Sequence, residues 1–345
     1  MAENRKTVNA PPGEREGLIE LDDAHCATLL PVRDVRSHKG SHGTLLIVAG
    51  SLDFAGAALL VARAAGRAGA GVVRLAVPAS LQPIFAGRVL EPTTLPLPET
   101  EIDGEVDPEA AMERILDLEH EALVVGPGLR PGLATVELVE ALLGQDAAGA
   151  APALVDAEGL NSLASLPDWA GRIRRSCVLT PHPGEFERLR GNDGRDSAGS
   201  AASMLGDAAA PGADDDTRAA LCLAAAASWQ QVVVLKGART VVASPGGRLA
   251  RAPFENAALA TAGTGDVLSG TIGALLAQGL GTFEAACLGV YLHGSAGEAF
   301  SERLGDSGLL ASDLPDEIAR ARRRLDLVRE RGGRRMGFSR SESTG

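Results

Sequence analysis

Aromatic residues are scarce in this chain: one Tyr, two Trp and seven Phe in 345 residues. A core of ordinary size therefore has to be built from Ala, Val, Leu and Ile, and hydrophobic residues, at 45%, are plentiful enough to build one. Cysteine is equally sparse. Cys26, Cys177, Cys222 and Cys287 stand far apart with no C-x-x-C pair, which excludes a disulfide framework and a cysteine zinc site. No apolar run approaches the ~20 residues of a membrane span. The polar start Met1–Gly17 holds no signal-peptide apolar block, so a cytoplasmic location is expected. Basic charge is outweighed: 33 Lys and Arg face 45 Asp and Glu, a formal net charge of -12. Such a field disfavours nucleic acid and anionic membranes as partners, while leaving local phosphate binding open. Lysine is nearly absent, at Lys6, Lys39 and Lys236 only, and both Lys39 and Lys236 directly precede a glycine.

What is present is an alternation. Thr44–Ala49, Val72–Val77, Ala122–Val125, Ala153–Asp156, Cys177–Thr180 and Val232–Leu235 read as short buried strands. Helical spacing recurs at Gly56–Ala70, Glu109–Leu118, Thr135–Leu143, Thr217–Trp229, Gly265–Gln278 and Phe283–Arg303. Alternating units of this kind predict an α/β fold with a mostly parallel sheet covered on both faces. Thr240–Ala243 and Arg248–Arg251, around Pro245-Gly246-Gly247, predict an antiparallel hairpin. No internal repeat is visible. Residues 1–18 read as a disordered start, 191–216 as a low-complexity surface loop, and 329–345 as a polar, Arg-rich tail after a helical pattern that follows Pro315. The rest, 19–328, reads as one domain.

The chemistry-bearing residues follow the strands. Gly50-Ser51, Gly126-Pro127-Gly128, Pro181-His182 and Lys236-Gly237 each come directly after one, and ligands of open α/β sheets sit at the carboxyl ends of strands. The most informative stretch is Asn256–Gly270, in which Gly263-Thr264-Gly265-Asp266 opens an apolar helix. A glycine turn at a helix start offers unpaired N–H groups and the positive end of the dipole to phosphate. Asp266 places a carboxylate where an anion is expected, which suits a proton acceptor for a hydroxyl that attacks a phosphoryl group. The plainer alternative is a tight turn with Asp266 as a helix cap.

Lys236 to Thr240 (Lys-Gly-Ala-Arg-Thr) offers a point charge, bare backbone at Gly237 and a hydroxyl at Thr240, or simply a strand-end lysine at a turn. In Thr180–Arg188, two prolines hold His182 in an extended turn, where it suits a phosphate or ribose, and Glu185 suits a metal-bound water. The alternative is a prolyl turn with Glu185 in a first helical turn. Asp156, with Glu158 and Asn161 close behind, suits water or a metal, or a helix cap. His38 and His42 stand among glycines and read as a loop.

Taken in order, KGSHG, GAALLVARAAGRAGAG, VVGPGL, LVDAEGLN, LTPHPGEFERL, VVVLKGART and NAALATAGTGDVLSG closely resemble the ADP-dependent NAD(P)H-hydrate dehydratases, a branch of the ribokinase-like superfamily. The resemblance runs from about Ile19 to about Ile318. It implies a three-layer αβα sandwich and a metabolite-repair lyase that dehydrates the S epimer of hydrated NADH or NADPH while ADP becomes AMP and phosphate, with Mg²⁺. At matching positions it implies Asp266 as the catalytic base. It implies Ala57, Gly128, His182, Pro183, Gly184, Glu185, Phe186, Glu187, Arg188 and Asp266 at the hydrated dinucleotide. It implies Lys236, Gly237, Ala238, Arg239, Thr240, Ala262, Gly263, Thr264 and Gly265 at the nucleotide.

Ala262 departs from the glycine usual in the family. Some bacterial members carry an epimerase domain ahead of this one. Only a short polar stretch precedes Ile19 here, so a separately encoded epimerase is the expected functional partner, and a homotetramer the expected assembly. A small-alcohol or vitamin kinase of the same superfamily is the first rival, although thiazole-alcohol kinases usually carry cysteine where Asp266 stands. A nucleotide-sensing module without turnover is the second.

Overall fold

The structure, a computed structural model, describes residues 17–102, 104–145, 150–193 and 214–338. The start Met1–Glu16, most of the 191–216 loop and the last seven residues of the expected tail lie outside them. Ten strands form one sheet: β1 (Ile19–Glu20), β2 (Thr44–Val48), β3 (Val72–Pro78), β4 (Thr93–Leu97), β5 (Ala122–Val125), β6 (Ala153–Val155), β7 (Cys177–Leu179), β8 (Val232–Leu235), β9 (Val241–Ala243) and β10 (Leu249–Arg251). The helices are α1 (Asp23–Leu29), α2 (Ala55–Ala68), α3 (Gln82–Ala86), α4 (Pro108–Leu116), α5 (Leu133–Leu143), α6 (Glu158–Ala164), α7 (Trp169–Arg172), α8 (Pro183–Gly191), α9 (Asp215–Trp229), α10 (Thr264–Ala277), α11 (Thr282–Leu304) and α12 (Leu314–Phe338). None of the described helices is long and apolar enough to cross a membrane.

The order across the sheet is β1-β10-β9-β8-β7-β6-β5-β2-β3-β4. Every pairing is parallel except the two made by β9, whose partners β8 and β10 run against it. The antiparallel pair β9–β10 is the hairpin expected around Pro245–Gly247. β4 was not legible as a strand because Pro96 interrupts it. Its place at the sheet edge is where a residue without an N–H is tolerated.

Both faces of the sheet are apolar, and the strand period of two divides them. Leu45, Ile47, Val124, Leu154, Val178 and Val234 face one layer with α2, α10 and α11. Leu46, Val48, Leu123, Val125, Val155, Leu179 and Val233 face the other with α5, α6, α8 and α9. The result is a three-layer αβα sandwich, as expected from the alternation.

Small residues let the first layer close up. A Cβ added at Gly270 of α10 would stand 2.2 Å from the Val61 carbonyl oxygen of α2 and 2.9 Å from Ala64 Cβ. The two helices thus meet almost backbone to backbone, which is how a core short of aromatics reaches full density.

Two boundaries differ from expectation. Lys39–His42 forms a 3₁₀ turn rather than an irregular loop, closed by Ser37 Oγ and His42 Nε2 at 2.8 Å. The final helix runs on to Phe338, so residues 329–338 of the expected polar tail are helical.

Candidate active site

Five parallel strands stand side by side in the order β8-β7-β6-β5-β2, and their carboxyl ends form one rim. Gly50-Ser51, Gly126–Gly128, Asp156, Pro181-His182 and Lys236-Gly237 therefore gather there, although 186 residue numbers separate Gly50 from Lys236 (236 minus 50). Helices α2, α6, α8 and α10 start at the same rim.

At the centre is a buried charge cluster. Lys236 Nζ lies 2.7 Å from Asp156 Oδ1 and 3.7 Å from Glu185 Oε2. The other Asp156 oxygen accepts from Ser269 Oγ at 2.7 Å. Asp156 caps no helix: the N-cap of α6 is Ala157, and no side chain caps that end. Burial works to lower the Lys236 pKa, but the two carboxylates outweigh it and the net direction is upward. Burial pushes Glu185 up, against the pull of Lys236.

Asp266 sits in the first turn of α10, whose N-cap, Gly263, has φ 89° and offers no side chain to the helix end. That left-handed conformation suits glycine, and the space forbids more: a Cβ there would be 2.8 Å from Leu60 Cδ1. Among the described residues, no acceptor meets the N–H groups of Gly265 and Asp266. Gly265 is the neighbour of the charge cluster, since a side chain on it would come within 3.7 Å of Lys236 Nζ and 3.8 Å of Asp156 Oδ2. Burial, reinforced by the Asp156 carboxylate and opposed by Lys236, raises the Asp266 pKa to about 7. A carboxylate so tuned is a better proton acceptor at neutral pH than an ordinary Asp.

The His182 segment solves its helix end differently. His182 is the N-cap of α8; its Nδ1 accepts from Gly184 N at 3.0 Å and from Glu185 N at 3.4 Å. Glu185 Oε2 returns the contact by accepting from His182 N at 2.8 Å. This reciprocal pair is a capping box with histidine in the usual Ser or Thr place. Burial first, then Lys236 and Arg188, lower the His182 pKa, which keeps the ring neutral and able to accept.

Most of the expected site residues converge here, but not all by side chain. Ala57 and Gly128 touch: a Cβ on Gly128 would be 2.8 Å from Ala57 Cβ. Pro183 and Gly184 form the first turn of α8. Arg188 donates to Asn161 Oδ1 at 3.0 Å, and Asn161 to Glu158 Oε2 at 3.1 Å, which links α8 to α6. Glu187 pairs with Arg190 at 3.1 Å. The Phe186 ring, by contrast, is fully buried in the core against Trp229, at 5.3 Å between centroids, and offers no surface to the rim. In the second segment, Gly237 and Ala238 form the turn after β8, and Thr240 Oγ1 donates to Gly237 O. Arg239 turns toward Asp215, Glu20 and Glu255. Ala262 is exposed beside the α10 turn, and Thr264 is buried, its hydroxyl donating to Leu259 O and Thr261 O.

Sequence reading missed three contributors. Ser269, one turn beyond Gly265, braces Asp156. Arg218, in the Ala-rich α9, is buried and donates to Lys236 O at 3.0 Å, which supports the turn under Gly237. His293 of α11 meets Thr264 O at 2.9 Å through Nε2, directly behind the open turn of α10. None of the three carried a local signal, because each acts on a partner distant in sequence. His293 and Gly237, Thr240, Asn256, Leu259 and Leu268 line a cavity beside the turn after β8. No group of three or more His, Cys, Asp or Glu among the described residues is arranged to hold a metal ion by itself.

A profile of the NAD(P)H-hydrate dehydratase family matches residues 45–320. The chain is 40% identical over 310 residues to the bifunctional NAD(P)H-hydrate repair enzyme Nnr of Moorella thermoacetica, covering 89% of this chain and 54% of that protein. The chain thus spans about half the length of the first curated relatives it matches. It is 37% identical to the ADP-dependent (S)-NAD(P)H-hydrate dehydratase of Neisseria meningitidis, covering 84% of this chain and 86% of that one. Among solved structures, the ADP/ATP-dependent NAD(P)H-hydrate dehydratase of Bacillus subtilis, co-crystallised with ATP and Mg²⁺, superposes with a TM-score of 0.72 at 31% identity, covering 90% of this chain and 99% of that one.

Proposed function

This chain belongs to the NAD(P)H-hydrate dehydratase family, and from that premise we propose that it returns the S epimer of hydrated NADH or NADPH to the reduced cofactor, with ADP going to AMP and phosphate. The observation that carries the reading is Asp266, at the uncapped start of α10, with its pKa raised to about 7.

The ring hydroxyl of the hydrate is a poor leaving group. Asp266 takes its proton as the oxygen attacks the terminal phosphorus of ADP; the bridging P–O bond breaks and AMP departs. The ring now bears a phosphate ester, which leaves as phosphate while the neighbouring ring carbon gives up a proton. The double bond of the dihydropyridine is restored. The N–H groups of Gly265 and Asp266, with those of Ala262 and Gly263 nearby, hold the transferring phosphoryl group. Lys236–Thr240 carry the AMP portion, beside the cavity that Gly237, Thr240 and His293 help to line. Ala57, Gly128 and the first turn of α8 seat the hydrated dinucleotide.

Mg²⁺ fits this site as an ion carried on the diphosphate. Such an ion keeps several waters, and Glu185, beside Lys236, would hold one of them. When bound, it neutralises phosphate charge. An NAD(P)H-hydrate epimerase activity would supply the S epimer, a pairing in keeping with the bifunctional repair enzymes among the relatives. A homotetramer in the cytoplasm completes the proposal, and sedimentation of the purified protein measures the first of these.

The test mixes the protein with NADHX, Mg²⁺ and either ADP or ATP, and follows the reduced-nicotinamide absorbance while AMP or ADP is counted. Recovery of absorbance with one AMP per NADH in the ADP arm is expected. A stable phosphate ester without NADH would assign a kinase instead, and nucleotide binding without any product would assign a sensor.

A further inference from the structure

Of the nine aromatic side chains that the structure describes, eight are 8% exposed or less. The ninth, Phe54, is 56% exposed. In a chain this short of aromatics a ring left in water stands out, because burying it would stabilise the fold. Its position is also unfavourable locally. Phe54 is the N-cap of α2, a place that favours Ser, Thr, Asp or Asn, and no side chain caps that helix end. Neither core packing nor helix capping accounts for a phenylalanine here.

The backbone holds Phe54 at the rim. A Cβ on Gly128 would stand 2.6 Å from the Phe54 carbonyl oxygen, 2.8 Å from Ala57 Cβ and 3.1 Å from Phe54 Cβ. Gly128 has φ 66°, so glycine alone lets the turn after β5 close on both residues. Ala57 N donates to Phe54 O at 3.2 Å, which joins them in one turn. Further along α2, Leu60 Cδ1 lies 2.8 Å from the place of a Cβ on Gly263, at the turn that presents Asp266. Leu60 follows Phe54 by six residues, about 9 Å along the helix axis. A ring so near the proton acceptor reaches the reacting end of a dinucleotide rather than its adenine, which lies beyond two riboses and a diphosphate.

We propose that Phe54 is the apolar wall on which the hydrated nicotinamide ring packs, and that this contact sets affinity for the hydrate. The faces of that ring are mostly carbon and hydrogen, and a phenyl face removes them from water. The proposal rests on the dehydratase reading and adds the side chain that holds the reacting ring.

The experiment measures steady-state kinetics with NADHX, ADP and Mg²⁺ for the full chain and for Phe54→Asn, Phe54→Ala and Phe54→Tyr. Calorimetry gives ADP affinity, and emission of NADH bound beside AMP reports on the dihydropyridine itself. Asparagine is a good N-cap, so Phe54→Asn should unfold no earlier than the parent chain while lacking the ring. In Phe54→Asn and Phe54→Ala, KM for the hydrate should rise about tenfold, with kcat and ADP affinity changed by about twofold or less. Phe54→Tyr should keep the parent KM. NADH on the parent chain should emit more strongly and further to the blue than free NADH, and Phe54→Asn should lose most of that change.

An unchanged KM in Phe54→Asn overturns the proposal, as does equal NADH emission on the two proteins, or a Phe54→Tyr no better than Phe54→Ala. A smaller sedimentation coefficient in Phe54→Ala, with KM restored at higher protein concentration, would assign the ring to a contact between copies and overturns it too. If the parent chain dehydrates NADHX and the variants match it, the Phe54 contact fails and the dehydratase reading stands. If the parent chain makes no NADH, both fall.

Discussion

Helices α8 and α10 begin at the same rim of the same sheet, yet their ends are finished in opposite ways. At α8, His182 and Glu185 satisfy the first turn from within the chain. At α10, Gly263 contributes no side chain, and the N–H groups of Gly265 and Asp266 face no protein acceptor among the described residues. The difference separates two uses of one motif. A capped helix end stabilises the fold; an uncapped one keeps its donors for a ligand. The Lys236–Asp156–Glu185 cluster lies between the two ends and belongs to both.

The comparison is broken most directly at the open end. Asp266→Asn should lower turnover by about 10²–10⁴-fold while nucleotide affinity changes by only a few-fold. Steady-state kinetics beside calorimetry would check it, and near-normal turnover would remove Asp266 as the base. Lys236→Ala touches both ends at once. It strands the Asp156 and Glu185 carboxylates, with an expected loss on the order of 3 kcal/mol in denaturant unfolding, and should weaken ADP more than the hydrated cofactor. If Lys236 only bound ligand, stability would hold.

The pH profile sharpens the same contrast. An Asp whose pKa is raised to about 7 is the competent base above that pH, so kcat/KM should fall as pH drops through about 7 and level off above it. In Asp266→Glu the inflection should move, since the carboxylate would meet different neighbours.

The same shift has a cost to stability. Between the ordinary Asp value and about 7, the folded chain holds a proton that the unfolded chain has lost, so stability falls as pH rises through that window. Asp266→Asn should therefore unfold later than the parent chain at pH ~8, by about 1–2 kcal/mol after discount for partial solvent exposure, and should show no gain near pH ~4. The smallest effect belongs to the closed end. His182→Ala should cost about 1 kcal/mol through the lost cap, and His182→Asn, a good cap, should recover it. A raised KM for the hydrate that persists in His182→Asn would add a ligand contact to the structural one.

How legible each end was in the sequence follows from physical range. The open end of α10 was plain, because a Gly-Thr-Gly-Asp turn and a long apolar helix are adjacent in sequence. The rim was legible too, since strand ends in a parallel sheet must gather on one side. The closed end was less so. α8 is short and polar, and histidine is an uncommon cap, so His182 looked as much like a ligand as like a brace. The charge cluster was out of reach: Lys236 meets Asp156 across 80 residues and Ser269 meets Asp156 across 113, and no local pattern encodes such pairs. Phe186 sits inside the same motif, but the helical period turns its ring into the core, which the motif alone does not tell.

The near-contact of α2 and α10 has a further consequence. Ala57 opens one helix and Asp266 the other, and the two run side by side from Leu60 beside Gly263 to Ala68 beside Gln278. On the proposed roles of Ala57 and Asp266, the gap between the hydrate's seat and the proton acceptor is gauged by an absent methyl group at Gly270. An alanine there would act as a wedge driven between two jaws, spoiling the alignment of the reacting atoms from a full helical turn away while leaving every polar group in place.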